Sequence, residues 1–565
     1  MNRVLRLITG EVRGILSAVY VLAAFALLSS LLALFRDRLL AGYFGAGAEL
    51  DLYYAAFRIP DFLFVALGAL VSVYVLIPEL ARRDAEAQKS YINTVFLGFS
   101  VLAVCAGAVA ALVAPQILSY LFPQFAEAGF LPTLVSLTRI MLLQPVLLGF
   151  SNIFAAITQT KYRYTLYASS PLFYNFGIIL GVVVLYPAFG LSGLAWGVVI
   201  GAGLHAGIQI PSIIQDGFFR KLPRLGDVGV LLHTAAVSAP RALALSMNQL
   251  TFIGLTALAG TLAVGSISVF MFSFNLYSVP LAIIGASYSV AAFPALALSL
   301  SKGRQSEFIE NIAAAARHIF FWSLPATALV IVLRAHIVRV VLGSGAFDWT
   351  DTRLTAASLA LLSLALVGQG LMLLLVRGYY AAGRTFMPFL ASLGIALGTI
   401  SLGAVFIRVM ENTAALSFIQ ALLRVEDVQG SNMLALAIAY ALSTLIGTIF
   451  LAFYFERRFP GFLARIKRSF AEGLVAAFAG GVAAYATLYL IGPLTFSSTL
   501  ASVLTKGFSA GVAGMAVAGL VYAFLGNREF AETVAEIRGR LWRGFIKEEG
   551  GTEIVASAEE AAELK

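Results

Sequence analysis

Ala439-Tyr-Ala-Leu-Ser-Thr-Leu-Ile-Gly-Thr-Ile-Phe-Leu-Ala-Phe-Tyr454 runs through the chain without a single charged side chain. The same is true of Gly507-Phe-Ser-Ala-Gly-Val-Ala-Gly-Met-Ala-Val-Ala-Gly-Leu-Val-Tyr-Ala-Phe-Leu525 and of the stretch from Gly14 to Phe35. A bilayer core needs roughly 20 apolar residues per helical crossing. Inside it every backbone polar group must be paired within the protein. About fourteen stretches of this kind follow one another almost end to end, so the sequence predicts an all-α polytopic membrane protein. They are expected near 14–35, 60–78, 92–113, 132–158, 165–186, 190–213, 230–260, 266–298, 312–342, 356–382, 386–409, 433–455, 472–491 and 502–525.

Composition agrees. The 565 residues are 60% hydrophobic and 12% charged, where a soluble domain carries about 25% charged residues. A transmembrane β-barrel would instead alternate apolar and polar residues in short segments. The net charge of +9 would suggest nucleic acid in a soluble protein. Here the basic residues sit in short loops: Arg82, Arg83 and Lys89; Lys161 and Arg163; Arg220, Lys221 and Arg224; Lys302 and Arg304; Arg457, Arg458, Arg465, Lys467 and Arg468. The intervening loops from Val113 to Leu131 and from Leu185 to Gly190 hold no Lys or Arg. By the positive-inside rule the basic set is cytoplasmic and both termini lie on that side. Met1 to Arg13 then reads as a leader to an uncleaved first helix. Glu548 to Lys565 reads as an acidic, loosely structured tail. Cys105 is the sole cysteine, and the four histidines are scattered, so neither a disulfide nor a metal cluster is expected. Asn412 to Ser431 is a longer extracytoplasmic loop with a short surface helix near Leu416 to Leu423.

Two segments echo each other. Gly68-Ala-Leu-Val-Ser-Val is followed by Pro78, and Gly285-Ala-Ser-Tyr-Ser-Val by Pro294. Each falls in the second helix of a six-helix half, as in transporters built from repeats with the substrate site between them.

Charge inside hydrocarbon costs at least ~2.5–3.5 kcal/mol per residue, so polar groups within the spans are the candidate site. One group opens the chain: Arg36 and Asp37 at the end of the first span, Asp51 before the second, then Arg58 with Asp61 one turn on, close enough to pair. A second lies in and after the seventh span: Arg241, ten residues into an apolar run with no acidic residue within a turn, then Asn248, Gln249 and Asn275. Arg139, Gln144, Asn152, Gln159 and Asn175 read as polar contacts between helices.

The run Leu34-Phe-Arg36-Asp37-Arg-Leu-Leu-Ala-Gly-Tyr-Phe-Gly45, then Asp51-Leu-Tyr-Tyr-Ala-Ala-Phe-Arg58-Ile-Pro60 and Pro78-Glu-Leu, resembles the MurJ/MviN family. That family belongs to the multidrug/oligosaccharidyl-lipid/polysaccharide exporter superfamily. Gln159-Thr-Lys-Tyr-Arg163-Tyr, Pro171-Leu-Phe-Tyr-Asn175, Val279-Pro280 and Arg377-Gly-Tyr-Tyr-Ala-Ala-Gly-Arg384-Thr extend the likeness. The resemblance implies a flippase for lipid II, the undecaprenyl-pyrophosphate-linked peptidoglycan precursor, in the bacterial cytoplasmic (inner) membrane. It implies two six-helix lobes in a V plus two C-terminal helices that form a groove for the lipid tail. Mapped onto this chain, the lobes take residues 1–225 and 226–460, the tail groove 461–530 and a cytoplasmic tail 531–565. No cofactor is implied beyond a coupling ion or the membrane potential. The expected partners are the lipid-linked glycan, membrane lipid and the cell-wall synthesis machinery, with a monomeric chain. The chain departs from the family pattern at Ser30, at Phe64 and Val65, and at Asn275, where the family carries cationic residues.

On this reading Arg36, Arg58 and Arg241 contact the pyrophosphate, Asp37 and Asp51 orient or gate, and Asn248, Gln249 and Asn275 bind sugar or peptide groups. Three alternatives stay open. One is a flippase for another undecaprenyl-linked glycan, such as an O-antigen or capsule unit. The second is a drug or cation antiporter, which predicts a buried acidic site. The third is a membrane glycosyltransferase or polymerase, which needs catalytic carboxylates.

Overall fold

A computed structural model of the chain describes residues 15–219, 228–411, 414–492, 494–495 and 498–546. The expected leader, the acidic tail and the basic loop at Arg220, Lys221 and Arg224 lie outside the described residues. So do the side chains of His233 and Arg241. The described residues form helices and no strand.

The long helices follow the apolar runs, because only a helix satisfies the backbone of such a segment within itself. In order they are α1 (Ile15–Phe44), α2 in two pieces (Arg58–Gly68 and Val73–Ala81), α3 (Ala85–Leu121), α4 (Leu131–Thr160), α5 (Tyr164–Phe189), α6 (Leu191–Gln215) and α7 (Val228–Gly260). Then come α8 (Ser266–Ser301), α9 (Gln305–Val341), α10 in two pieces (Trp349–Ser363 and Ala365–Ala381), α11 (Phe386–Met410), α12 (Leu434–Arg458), α13 (Phe462–Ile491), α14 (Leu500–Phe524) and α15 (Arg528–Ile546). Ten helices among the described residues are long and apolar enough to cross a membrane, or eleven if the two pieces of α10, bent by 44°, make one span. Of the fourteen expected spans, ten or eleven therefore meet that test, and α1, α2 and α7 fall outside the count. The expected surface helix is Ala414–Leu423.

The second expected span is not one helix, as predicted, but two. Its break follows Gly68, the first residue of the internal echo. Glycine weakens a helix by about 1 kcal/mol relative to alanine. Here it is used for close packing, since a Cβ on Gly68 would meet Asn152 Nδ2 of α4 at 3.3 Å. The second copy of the echo behaves alike. α8 loosens into a π-turn over Ala282–Ala286, and a Cβ on Gly285 would meet Gly370 Cα of α10 at 2.8 Å. Both copies thus mark an irregularity where the second helix of its half touches the fourth.

Close approach also builds the α5–α6 pair. A Cβ on Gly177 would come within 2.2 Å of Gly201 Cα, and one on Gly181 within 2.8 Å of Gly197 Cα. Small residues at such spacing let membrane helices pack backbone to backbone. α13 and α14 pack against each other and both against α9, with Gly480 set over Gly514 O.

Three buried apolar clusters describe how the halves meet. One runs across both, joining Leu40, Tyr53 and Leu134 to Phe272, Phe347 and Leu434. A second stays within α2–α6 and its flanking segment, including Leu76, Ile92, Phe99 and Phe154. A third holds α8–α13 residues such as Phe308, Tyr379 and Phe455. The halves therefore share one core at one end of the bundle and keep separate cores at the other.

At the shared end the seam is polar as well. Ala346 N–H donates to Gly42 O at 2.8 Å, and Arg38 Nη1 to Val340 O at 2.8 Å. Ala46 N–H donates to Asp351 Oδ2 at 3.1 Å. Gly265 has φ +91°, and a Cβ there would lie 2.1 Å from Ala46 O, so both conformation and space require glycine. At the other end α7 leans on α2 and α3, with Tyr91 and Thr234 hydroxyls 3.3 Å apart.

Candidate functional site: paired arginines between the two halves

Arg36 directly follows α1's apolar run, about two turns before the helix ends at Phe44, where the helix faces α5 and α8. Its Nη2 and Nε donate to Asp37 Oδ1 at 2.7 and 3.0 Å. Its Nη1 donates to Asn175 Oδ1 of α5 at 2.9 Å. Asp37 is 3% exposed, and its second oxygen accepts from Asn275 Nδ2 of α8 at 3.0 Å. A buried carboxylate is tolerated only when paired and hydrogen-bonded, and both conditions hold here.

Arg58 begins α2 and is 4% exposed. Its Nε donates to Tyr54 O at 3.2 Å, and Asp61 Oδ2 lies 3.8 Å from its Nη2. Arg36, Arg58, Asp61 and Asn275 line one cavity of about 140 Å³ between the halves, walled by Tyr53, Tyr54 and Tyr174. Ligand pockets usually run to about 300–1,000 Å³, so this cavity has room for a few waters and not for a glycan. The two arginines point inward, as the sequence reading required. Each, however, is matched by a carboxylate, so the pocket's charge balances without an anion.

The remaining predicted residues separate. Asp51 belongs to the helix Ala48–Ala56, which leads into α2. It lies at the seam, away from the arginines. It accepts from Gly265 N–H (2.7 Å), Ser268 N–H (2.8 Å) and Ser268 Oγ (2.6 Å), capping α8 from the other half of the chain. Asn248 lines a different cavity of about 570 Å³ formed by α7, α8, α10, α11 and α12. Gln249 is half-buried and lines neither cavity. The Arg241 side chain lies outside the described residues, and only its place on α7 is fixed.

The structure also adds groups. Asn175, read from sequence as helix–helix contact, is the second partner of Arg36. The larger cavity is furnished with Gln369, Arg377 and Tyr380 beside Phe252, Phe274 and Tyr440. Gln369 and Arg377 lie eight residues apart, on one helix face, inside an apolar run. An intramembrane arginine is a site signal by default, and that signal was present in the sequence.

An all-helical bundle with two halves joined at one end and a polar cavity at their interface is the layout of a membrane transporter. Solved structures share this fold. A structure described as "Lipid II flippase MurJ, inward closed conformation" superposes with TM-score 0.71 at 21% identity, covering 89% of this chain and 99% of that one. An inward-facing multidrug-resistance MATE transporter of the MOP superfamily superposes with TM-score 0.63 at 13% identity, covering 77% and 95%. The model of the family "Lipid II flippase MurJ" matches residues 40–505, so the chain belongs to the MurJ family. Relatives include "Lipid II flippase MurJ" of Burkholderia cenocepacia, 27% identical over 69% of this chain and 78% of that protein. The "Probable lipid II flippase MurJ" of Thermotoga maritima is 27% identical over 67% and 76%.

Proposed function

We propose that this chain carries lipid II from the cytoplasmic to the outer leaflet of the bacterial inner membrane by alternating access. The observation that carries the reading is that Arg36 and Arg58, from two different helices, face one cavity between the two halves. A pyrophosphate cannot enter hydrocarbon unaided, because an unpaired charge there costs many kcal/mol. Guanidinium groups replace its water with charge-assisted, forked hydrogen bonds.

In the closed state Asp37 and Asp61 occupy the arginines. When the halves part, the phosphate takes the place of those carboxylates, and Asp37 keeps its bond to Asn275. Compensation before and after the exchange means no guanidinium is left bare, which in a buried site would cost about 3–5 kcal/mol. Asp51 acts as the latch: its three bonds to the start of α8 hold the seam at the shared end. The cavity bearing Asn248, Gln369 and Tyr380 is of the right size for sugar or peptide groups. The prenyl tail stays in lipid along α13 and α14, whose Phe478, Tyr489 and Phe508 are exposed.

In this reading 1–225 and 226–460 move as two lobes, both termini are cytoplasmic and the chain works as a monomer. Arg241 is a third phosphate contact. Cell-wall synthesis enzymes receive the product.

The test is reconstituted flipping of lipid II alongside other undecaprenyl-linked sugars, paired with rescue of flippase-depleted cells. Arg36→Ala and Arg58→Ala abolish both while protein levels hold. Full activity in both variants removes the mechanism. A second substrate, another undecaprenyl-pyrophosphate glycan, is favoured by one observation. Asn275, where the family resemblance implies a cation, binds Asp37 in this chain. Faster flipping of such a glycan than of lipid II decides for it.

A further inference from the structure

At the end of the bundle where the basic loops gather, α8, α9, α10 and α12 leave a cavity of about 460 Å³. It is separate from both cavities described above. Arg384, in the turn after α10, and Arg458, the last residue of α12, both line it. Both are exposed, and among the described residues neither has an ion-pair partner. No carboxylate lines the cavity.

The neighbouring acids are engaged elsewhere. Glu307 is held by Arg304 at 3.3 Å. Glu310 is shared by Arg317 and Arg465 at 3.0 and 3.2 Å. Glu456 accepts from the N–H groups of Gly461 and Leu463 at 2.7 and 2.8 Å. Two guanidiniums thus share a concave site with nothing negative in it. The rest of the lining divides by polarity: Gln305 supplies an amide, while Ala297, Leu300 and Phe459 are apolar.

We propose that this cavity binds the phosphodiester headgroup of an anionic membrane phospholipid. Arg384 and Arg458 hold the phosphate, and the start of the acyl chains lies along Leu300 and Phe459. Basic pockets between membrane helices at the cytoplasmic interface take such headgroups. A guanidinium matches phosphate oxygens in a forked pair. A soluble phosphate shares the charge chemistry but gains nothing from the apolar wall. The site lies at the ends of the helices and apart from Arg36 and Arg58, so it does not depend on which lipid-linked molecule is carried.

The experiment uses the purified full chain in neutral detergent, titrated with phosphatidylglycerol, phosphatidylcholine or inorganic phosphate. Bound lipid is counted by native mass spectrometry, and thermal unfolding is followed in parallel. The wild type is expected to retain phosphatidylglycerol over phosphatidylcholine and to unfold at a higher temperature with it. Arg384→Gln with Arg458→Gln should weaken that binding about 25-fold, roughly fivefold for each basic residue at an anionic surface. Arg457→Gln removes an exposed charge from the adjacent position, which does not line the cavity, and should leave binding near wild type. A doubly Arg→Lys variant keeps the charge and should bind at an intermediate level, which separates loss of the site from loss of the fold. Equal retention by the wild type and the double Gln variant overturns the proposal. So does an equal loss in Arg457→Gln. Stabilisation by inorganic phosphate as large as that by phosphatidylglycerol also overturns it, in favour of a soluble anion.

Discussion

Asn275 on α8 donates a hydrogen bond to Asp37 on α1 at 3.0 Å, while the other oxygen of the same carboxylate takes two bonds from Arg36. One side chain therefore joins the halves of the chain through an acid that also neutralises a buried cation. The two partners should differ in cost when removed. Asn275→Ala takes away one donor from a buried acceptor, a loss of about 1–3 kcal/mol. Asp37→Ala leaves the Arg36 charge without a counter-ion, which at a buried pair costs about 3–5 kcal/mol. Unfolding of the purified variants should rank Asp37→Ala as the less stable, and the reverse order contradicts the described pairing.

Arg36 uses three nitrogens on two partners, a geometry only a planar fork supplies. Arg36→Lys keeps the charge but cannot reach Asp37 and Asn175 together. Flipping by this variant should fall by about tenfold or more, the equivalent of one lost charged hydrogen bond of at least ~1.4 kcal/mol, while expression is maintained. Wild-type rates would mean that charge alone suffices.

Two changes at the seam should act in the same direction through different causes. Asp51→Ala strips three donors of their acceptor. Gly265→Ala forces a Cβ toward Ala46 O and demands a left-handed backbone of an L-residue, a strain of order 1 kcal/mol or more. Each should favour the state in which the shared end is parted. The readout is maleimide labelling of a cysteine at Ala41, which is fully buried, in a Cys105→Ser background. Labelling should speed up severalfold in both variants. No change in either places the latch elsewhere.

The segment that carries Ala414–Leu423 is tied to α10 by a two-pronged pair. Arg353 Nη1 and Nη2 reach Asp427 Oδ2 and Oδ1 at 2.7 and 2.6 Å. The hydrogen bonds from Arg353 hold the Asp427 carboxyl below the usual range. A carboxyl lowered in the folded state stabilises above its unfolded value, about pH 4, and stops doing so as pH falls through the lowered one. The protection factors of 414–423, measured against the intrinsic exchange rate at each pH, should thus be the same at pH 7 and pH 5 and fall below pH ~4. Asp427→Asn should show the lower protection already at pH 7.

Much of the site was legible because charge in hydrocarbon is rare enough to stand out. Arg36, Asp37 and Arg58 were marked by that criterion and Asn275 as a polar group in a span; the fold brings Arg36, Arg58 and Asn275 to one cavity, with Asp37 bonded to two of them. Asp51 was marked as well, but it proved to bond backbone N–H groups at Gly265 and Ser268, more than two hundred positions away. Nothing in either local sequence announces that contact. Asn175 looked like any polar group between helices until its position 139 residues from Arg36 closed to 2.9 Å. Asn248 and Gln249 are adjacent in the chain, yet a helix turns neighbours to different faces, and only Asn248 reaches a cavity.

The run of uncharged segments by itself determined that this protein is a helical bundle in lipid, because no other backbone form satisfies its own polar groups there. It also determined which few side chains are too costly to be present without a partner. Only the tertiary structure decided how those side chains are matched, and that the two arginines are balanced by acids. It alone decided that Asp51 bonds the start of α8 at the shared end of the bundle. Such pairings depend on the angle and depth at which distant helices cross, and those are fixed by glycine-to-glycine contacts such as Gly177 with Gly201, not by any local run of residues.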